Sequence, residues 1–150
     1  MTSALASSGL APERLILELT ESLIVEMDDG LEKLLKSLKT LGVSLALDDF
    51  GRGYSSLNYI EKMQFAMIKI DREFVQAAAA GSVRSQAVVT AIVSLAEQLD
   101  IEVTAEGIEH EEQMDAMLNL GCTCLQGFLF GRPQAHVEQG TDKADRSEAA

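Results

Sequence analysis

An α/β fold of parallel strand–helix units is what this sequence predicts, on three observations. Short apolar runs alternate with amphipathic helical stretches. The alternation recurs at intervals of roughly 25 to 35 residues, the length of a strand, a crossover helix and two connections. Each apolar run ends in a polar or charged residue, so five successive strands deliver such groups to one edge of the sheet.

Leu15–Leu19 (LILEL) is a nearly continuous apolar run, as expected of a strand covered on both faces. The helix after it carries Leu31, Leu34, Leu35, Leu38 and Leu41 at helical spacing. Asp29 followed by Glu32 suits a capping pair at its start, and Gly42 suits its end. Val43–Leu47 is the second strand and leads into Asp48 and Asp49. A glycine-rich loop and a short helix around Leu57–Met63 precede the third strand, Met67–Ile70. An alanine run and Gly81 lead to the longest helix, with an expected stripe of Val88, Val89, Ile92, Val93, Ala96 and Leu99. The fourth strand is Ile101–Ala105. The helix over Glu111–Leu120 is expected to bury Met114, Met117 and Leu118, and the fifth strand is Leu125–Phe130. Residues 134–150 are polar and form an expected flexible tail.

Composition bounds the function classes. Twelve Lys and Arg stand against 24 Asp and Glu, a net charge of −12. Such a chain gains nothing from a nucleic-acid backbone, so polymeric DNA or RNA is not an expected partner. A small phosphate ligand held through cations remains compatible, because hard divalent ions prefer carboxylate oxygens. No apolar run approaches the roughly 20 residues a membrane helix needs, and the first residues lack a signal-peptide pattern. Cys122 and Cys124 make no disulfide framework, and their spacing is too short for a zinc site; they read as core or near-core thiols. The expected location is cytoplasmic.

The strand ends carry the chemistry, for in parallel α/β folds this edge is where ligands bind. They present Glu18, Thr20 and Glu21; Asp48 and Asp49; Lys69 and Asp71; Glu106 and Glu109; and Gln126. Glu18, Asp48, Asp49 and Glu106 are hard oxygen ligands suited to Mg²⁺ or Mn²⁺. Two such ions about 4 Å apart can bind a phosphodiester, activate a water and stabilise the leaving oxygen. Lys69 lies between Ile68 and Ile70 and points away from both, so it serves either to orient a water or as half of an ion pair with Glu18 or Asp48. Gln126 suits a hydrogen bond to substrate or to a metal-bound water. Asp71 and Glu109 are of a kind more often found as helix-capping or surface acids, and His110 and His136 read as surface residues.

LELTES (17–22), DDFGRGYSSL (48–57), IKIDREFV (68–75), AEGIE (105–109) and GCTCLQGFLFGRP (121–133), in this order and spacing, resemble the EAL-domain family of cyclic di-GMP phosphodiesterases. The resemblance runs over roughly Leu5–Pro133. It implies a TIM-like (βα) barrel, of which this chain is about the second half with an extra C-terminal strand. It also implies metal-dependent hydrolysis of cyclic di-GMP to the linear pGpG. By resemblance Glu18, Asp48, Asp49 and Glu106 are metal ligands, with Lys69 and Glu106 catalytic, Gln126 substrate-binding and Glu21 supporting the loop after the aspartate pair. The departures are equally specific. A complete eight-stranded barrel takes about 250 residues. The Glu-Ala-Leu segment, the asparagine ligand and the phosphate-gripping arginine of the family have no counterpart in these 150 residues, and Arg52 stands where threonine is familiar.

The expectation is therefore a truncated EAL domain over 1–133 with weak or no activity, or alternatively a cyclic di-GMP- or partner-binding signalling module without catalysis. Half a barrel exposes two sheet edges, which pair with something. A homodimer, or other self-association through those edges, is expected. Multi-angle light scattering at micromolar concentration should return at least twice the 16.2 kDa chain mass; a compact monomer would overturn this.

Overall fold

Five parallel strands in sequential order form one sheet, β1(Ile16–Thr20), β2(Ser44–Phe50), β3(Met67–Ile70), β4(Glu102–Ala105) and β5(Cys124–Leu125). The computed structural model describes residues 2–51 and 57–133. The helices are α1(Thr2–Ser8), α2(Glu21–Val25), α3(Asp29–Thr40), α4(Leu57–Met63), α5(Arg72–Ala79), α6(Val83–Leu99) and α7(Glu111–Asn119), with a 3₁₀ turn at Pro12–Arg14. Sequential parallel pairing with helical crossovers is the arrangement of a βα barrel segment. Among the described residues β1 and β5 each have a neighbouring strand on one side only.

The pleat divides the strands into two chemistries. Leu17 pairs with Leu45, Leu19 with Leu47, Leu47 with Ile68, Ile68 with Val103, and Ile70 with Ala105. These side chains share one face and join the buried core with Leu35, Val75, Val89, Ile92, Ala96 and Met117 from the helices. The alternate residues share the opposite face: Glu18 beside Ala46, Lys69 beside Thr104, and Thr104 beside Cys124. That face is largely polar. With period-2 alternation, a shift of one residue in any strand would exchange the two, so burial of the apolar set also fixes the polar set.

The strands and helices lie close to their predicted places, with instructive differences. The N-cap of α3 is Asp28, whose carboxylate accepts from the Leu31 amide at 2.7 Å, not Asp29, which is already helical. Leu35 and Leu38 are buried, whereas Leu34 and Leu41 face solvent. In α6 Val89, Ile92, Val93 and Ala96 are buried and Leu99 is exposed; in α7 Met117 is buried and Leu118 exposed. Each helix thus buries a narrower stripe than its apolar content suggests, because it meets a single sheet face. The alanine run belongs to a separate helix, α5, capped by Asp71 through the Glu73 amide at 2.9 Å. The fifth strand is two residues long instead of six: beyond Leu125 the chain turns, leaving Phe128 and Phe130 half exposed. Lys39, on α3, donates to the carbonyls of Met63 and Gln64 at 2.9 and 2.8 Å, tying α3 to the end of α4. Cys122 is buried, which pushes its thiol up to about 11, while Cys124 is half-buried; both are free. No helix among the described residues is long and apolar enough to cross a membrane.

Leu45, fully buried at the centre of the sheet, and Leu34, 54% exposed on α3, set a contrast. Leu45→Ala should cost about 2–5 kcal/mol in urea unfolding. Leu34→Ala should stay within about 0.5 kcal/mol.

Candidate functional site

The carboxyl ends of β1 to β4 converge on one ammonium. Lys69 Nζ lies 2.6 Å from Glu18 Oε1, 2.6 Å from Glu106 Oε1 and 3.9 Å from Asp48 Oδ1. The Lys69 side chain is only 5% exposed, against 52% for Glu18. Lys69 reaches this place because Ile68 and Ile70 are anchored in the apolar core, which turns the residue between them to the opposite face. Three strands thereby supply one carboxylate each to one cation. Of the two alternatives open for Lys69, the structure shows the ion pair, with Glu18 and also with Glu106.

The electrostatics follow from burial and proximity. Burial alone would lower the Lys69 pKa, but the hydrogen bonds it donates to Glu106 and Glu18, with the charges of Glu106 and Asp48, raise it above its usual value. Glu106 is raised above the ordinary carboxylate range, chiefly by burial and further by Asp48 and Glu18, against the opposing pull of Lys69. A buried cluster of this kind is held together only while its single cation is present.

Backbone geometry shapes the rest of the edge. The β2–β3 register shifts between Leu47 and Phe50, and Asp49 at that shift has a left-handed backbone (φ 54°) with its amide donating to Asp48 Oδ1 at 2.9 Å. Glu106 is tied to β3 through its amide to the Ile70 carbonyl at 3.1 Å. Gln126 donates its amide to Ala105 and accepts from Ile108, at 2.9 and 3.0 Å. Here Gly127 is obligatory, for a Cβ would fall 2.1 Å from the Ile108 carbonyl oxygen. A cleft of 240 Å³ opens beside the cluster, with Arg72, Glu106, Glu109, Gln126 and Phe128 in its walls.

Glu18, Asp48, Lys69 and Glu106 are thus brought together. Asp49 adjoins them in sequence, Gln126 lies in the neighbouring cleft, and Glu21 is buried at the start of α2. The loop Glu21 is expected to support, with Arg52 and Ser55–Ser56, lies outside the described residues, as does His136. Asp71 is a buried helix cap, Glu109 pairs with Arg72 at 3.0 Å, and His110 is an exposed surface residue. Sequence reasoning missed Arg72, whose partner lies 37 positions away (109 − 72), and Thr104, whose buried hydroxyl lies beside Lys69 with no hydrogen-bond partner among the described residues. Thr104 was legible in principle: it is the polar position of β4 at the register of Lys69.

The donor chemistry fits a hard divalent cation, but the count is short. Among the described residues no three acid, histidine or cysteine side chains lie close enough together to hold an ion. Lys69 takes the central position, so the arrangement is an ion-pair cluster and not a closed metal centre.

A parallel sheet of βα units with acids and one buried lysine at its carboxyl edge places the chain among βα-barrel proteins, and comparison identifies the family. The EAL domain profile matches residues 1–133, and the chain belongs to the EAL-domain family. It is similar to the bifunctional diguanylate cyclase/cyclic di-GMP phosphodiesterase MucR of Pseudomonas aeruginosa, 44% identical over 131 residues, covering 87% of this chain and 19% of MucR. The cyclic di-GMP phosphodiesterase RocR of the same organism is 41% identical over 134 residues, 89% of this chain and 34% of RocR. Among solved structures, the MucR phosphodiesterase in complex with cyclic di-GMP superposes with a TM-score of 0.82 at 42% identity, covering 89% of this chain and 53% of that one. The manganese/cyclic di-GMP complex of Klebsiella pneumoniae BlrP1 gives 0.81 at 39% identity, covering 87% and 33%. The chain therefore spans about half of the solved MucR chain and less of the curated relatives.

Replacing Lys69 by methionine leaves three carboxylates facing one another. Because Glu18 can rehydrate, the loss at pH 7 should fall near about 1–3 kcal/mol in chemical denaturation. It should shrink as pH falls through the carboxylate range and Glu106, already raised, takes up a proton. In the parent chain the Lys69 contribution is fully present below its unfolded value of 10.5 and is lost as pH rises through its higher folded value. A variant as stable as the parent across pH 5–9 would refute a stabilising role.

Proposed function

We propose that this chain is the second half of an EAL-type cyclic di-GMP phosphodiesterase barrel, contributing one face of a two-metal site for hydrolysis to pGpG. The observation that carries the reading is the convergence of Glu18, Asp48 and Glu106, from three strand ends, on Lys69 of a fourth strand. Family membership and the cyclic di-GMP complexes of MucR and BlrP1 support it. In this reading Glu18, Asp48, Asp49 and Glu106 offer oxygens to Mg²⁺ or Mn²⁺, which when bound polarises the phosphodiester and acidifies a water. The chain's own residues do the rest. Lys69 balances the carboxylates and places its protons beside the site, Glu106 can accept a proton from a neighbouring water, Gln126 donates to substrate, and Glu21 supports the loop after Asp49. The domain extends over 1–133 and residues 134–150 form its tail. The free edges of β1 and β5 are the surfaces for further strands, a second copy being the source we favour. The expected setting is cytoplasmic.

A second reading has its own support. Because Lys69 stands at the centre and no three metal donors meet among the described residues, the chain alone is suited to bind cyclic di-GMP without turning it over.

Incubating the chain with cyclic di-GMP and Mn²⁺, beside an Asp48→Ala control, should release pGpG slowly at most, with that release abolished by the substitution. Binding by calorimetry without pGpG would favour the second reading. Brisk turnover that survives Asp48→Ala would overturn the assignment of the site.

A further inference from the structure

We infer that the first turn of α5 is a bracket that positions two of the acid-bearing loops independently, Arg72 holding the segment after β4 and Phe74 the segment after β2. The observation is a pair of close approaches on one helix. At Gly107 (φ 70°) a Cβ would meet the Arg72 stem at 2.4 Å from Cγ, 2.7 Å from Cβ and 2.8 Å from Cδ. At Gly51 (φ 104°) a Cβ would fall 2.9 Å from Phe74 Cε2 and 3.3 Å from Cζ. Each glycine follows the acids of its strand end, Glu106 in one case and Asp48–Asp49 in the other. Both backbones thus lie directly on side chains of the same turn, with no room for a side chain of their own.

Polar contacts reinforce the Arg72 arm. Its Nη2 pairs with Glu109 Oε1 at 3.0 Å, closing the 106–109 segment over the arginine stem. With its carboxamide turned to satisfy both groups, Gln76 accepts from Arg72 Nε at 2.7 Å and Nη2 at 3.0 Å, which fixes the guanidinium to its own helix one turn on. Phe74 is half-buried against the core. The turn itself is rigidly seated: Asp71 caps it, Val75 and Ala78 are fully buried, Gln86 of α6 donates to the Ala78 carbonyl at 3.0 Å, and α5 packs on both α6 and α7. A fixed helix touching two loops through residues two positions apart sets the distance between Glu106 and the Asp48–Asp49 pair. Arg72 and Phe74 are positioning residues, acting on the acids through backbone. Partners of this kind typically change ligand affinity or activity by about 10- to 100-fold when removed.

The inference rests on the phosphodiesterase reading only in treating the two loops as functional. Its test needs neither metal nor nucleotide, so the two can fail separately. Amide hydrogen exchange of the full chain is followed by mass spectrometry over segments 47–51 and 105–110, together with the rate of Lys69 acetylation. Arg72→Ala should speed exchange over 105–110 by roughly tenfold and leave 47–51 unchanged. It should also raise Lys69 acetylation several-fold, since a loosened Glu106 no longer shields the ammonium. Arg72→Lys, which keeps the stem, should restore most of the protection. Phe74→Leu should give the converse, faster exchange over 47–51 with 105–110 unchanged. The control is Ile92→Val, a core change on α6 that lowers stability without touching either loop; it should leave Lys69 acetylation at the parent rate. If Arg72→Ala or Phe74→Leu speeds both segments alike, in proportion to its loss of Tm as in the control, or changes neither, the bracket is refuted.

Discussion

A single ammonium group among carboxylates is the constraint on which the acidic edge depends. Glu18, Asp48 and Glu106 arrive from three strands, and like charges at that spacing repel by several times thermal energy in a partly desolvated setting. Lys69 Nζ, 2.6 Å from two of them, resolves the conflict. Its position is in turn a consequence of apolar packing, for Ile68 and Ile70 are fully buried on the helix side and leave the lysine no other direction. The polar cluster is therefore built by the hydrophobic core, through the pleat of β3. The desolvation of Lys69 and Glu106 is offset by charge-assisted hydrogen bonds, while Glu18 keeps part of its hydration.

What could be read from the residues alone divides along a physical line. Features set by local periodicity were legible: the apolar strands, the amphipathic α3, α6 and α7, and the placing of Glu18, Asp48, Lys69 and Glu106 at successive strand ends. Alternation also placed Lys69 on the face opposite Ile68 and Ile70, with an ion pair to Glu18 or Asp48 as one of two open readings. Features set by contacts across the chain were not. That Leu34 and Leu118 face solvent depends on each helix meeting one sheet face, which their spacing does not encode. The separate helix α5 was hidden in an alanine-rich stretch that looks like connection until Asp71 is recognised as its cap. The fifth strand stops at Leu125 because Gly127 packs backbone to backbone on Ile108, turning the chain away from the sheet. The Arg72–Glu109 pair joins a helix to a distant loop and leaves no periodic signature.

The likeness to the EAL structures sharpens where this chain's chemistry is concentrated. The superposition on MucR takes in 89% of this chain and about half of the solved one. A site divided among so many strand ends is positioned by the shared sheet, since each strand fixes its neighbour's register through a ladder of backbone hydrogen bonds. Within this chain those ladders continue past the strands proper, through Glu106 to Ile70 and Gln126 to Ala105, so that the acids and the glutamine are extensions of the sheet and not residues of free loops.

The two chemistries of the pleat separate the positions at which substitution would be felt by folding from those at which it would be felt by a ligand. Residues that hold the molecule folded, such as Leu45, Ile68 and Val103, project to the helices, while Glu18, Ala46 and Cys124 project the other way from the same strands. Ligand chemistry and folding thus draw on interleaved but different positions of the same strands. Lys69 and Thr104, buried on the polar face, are where the two meet.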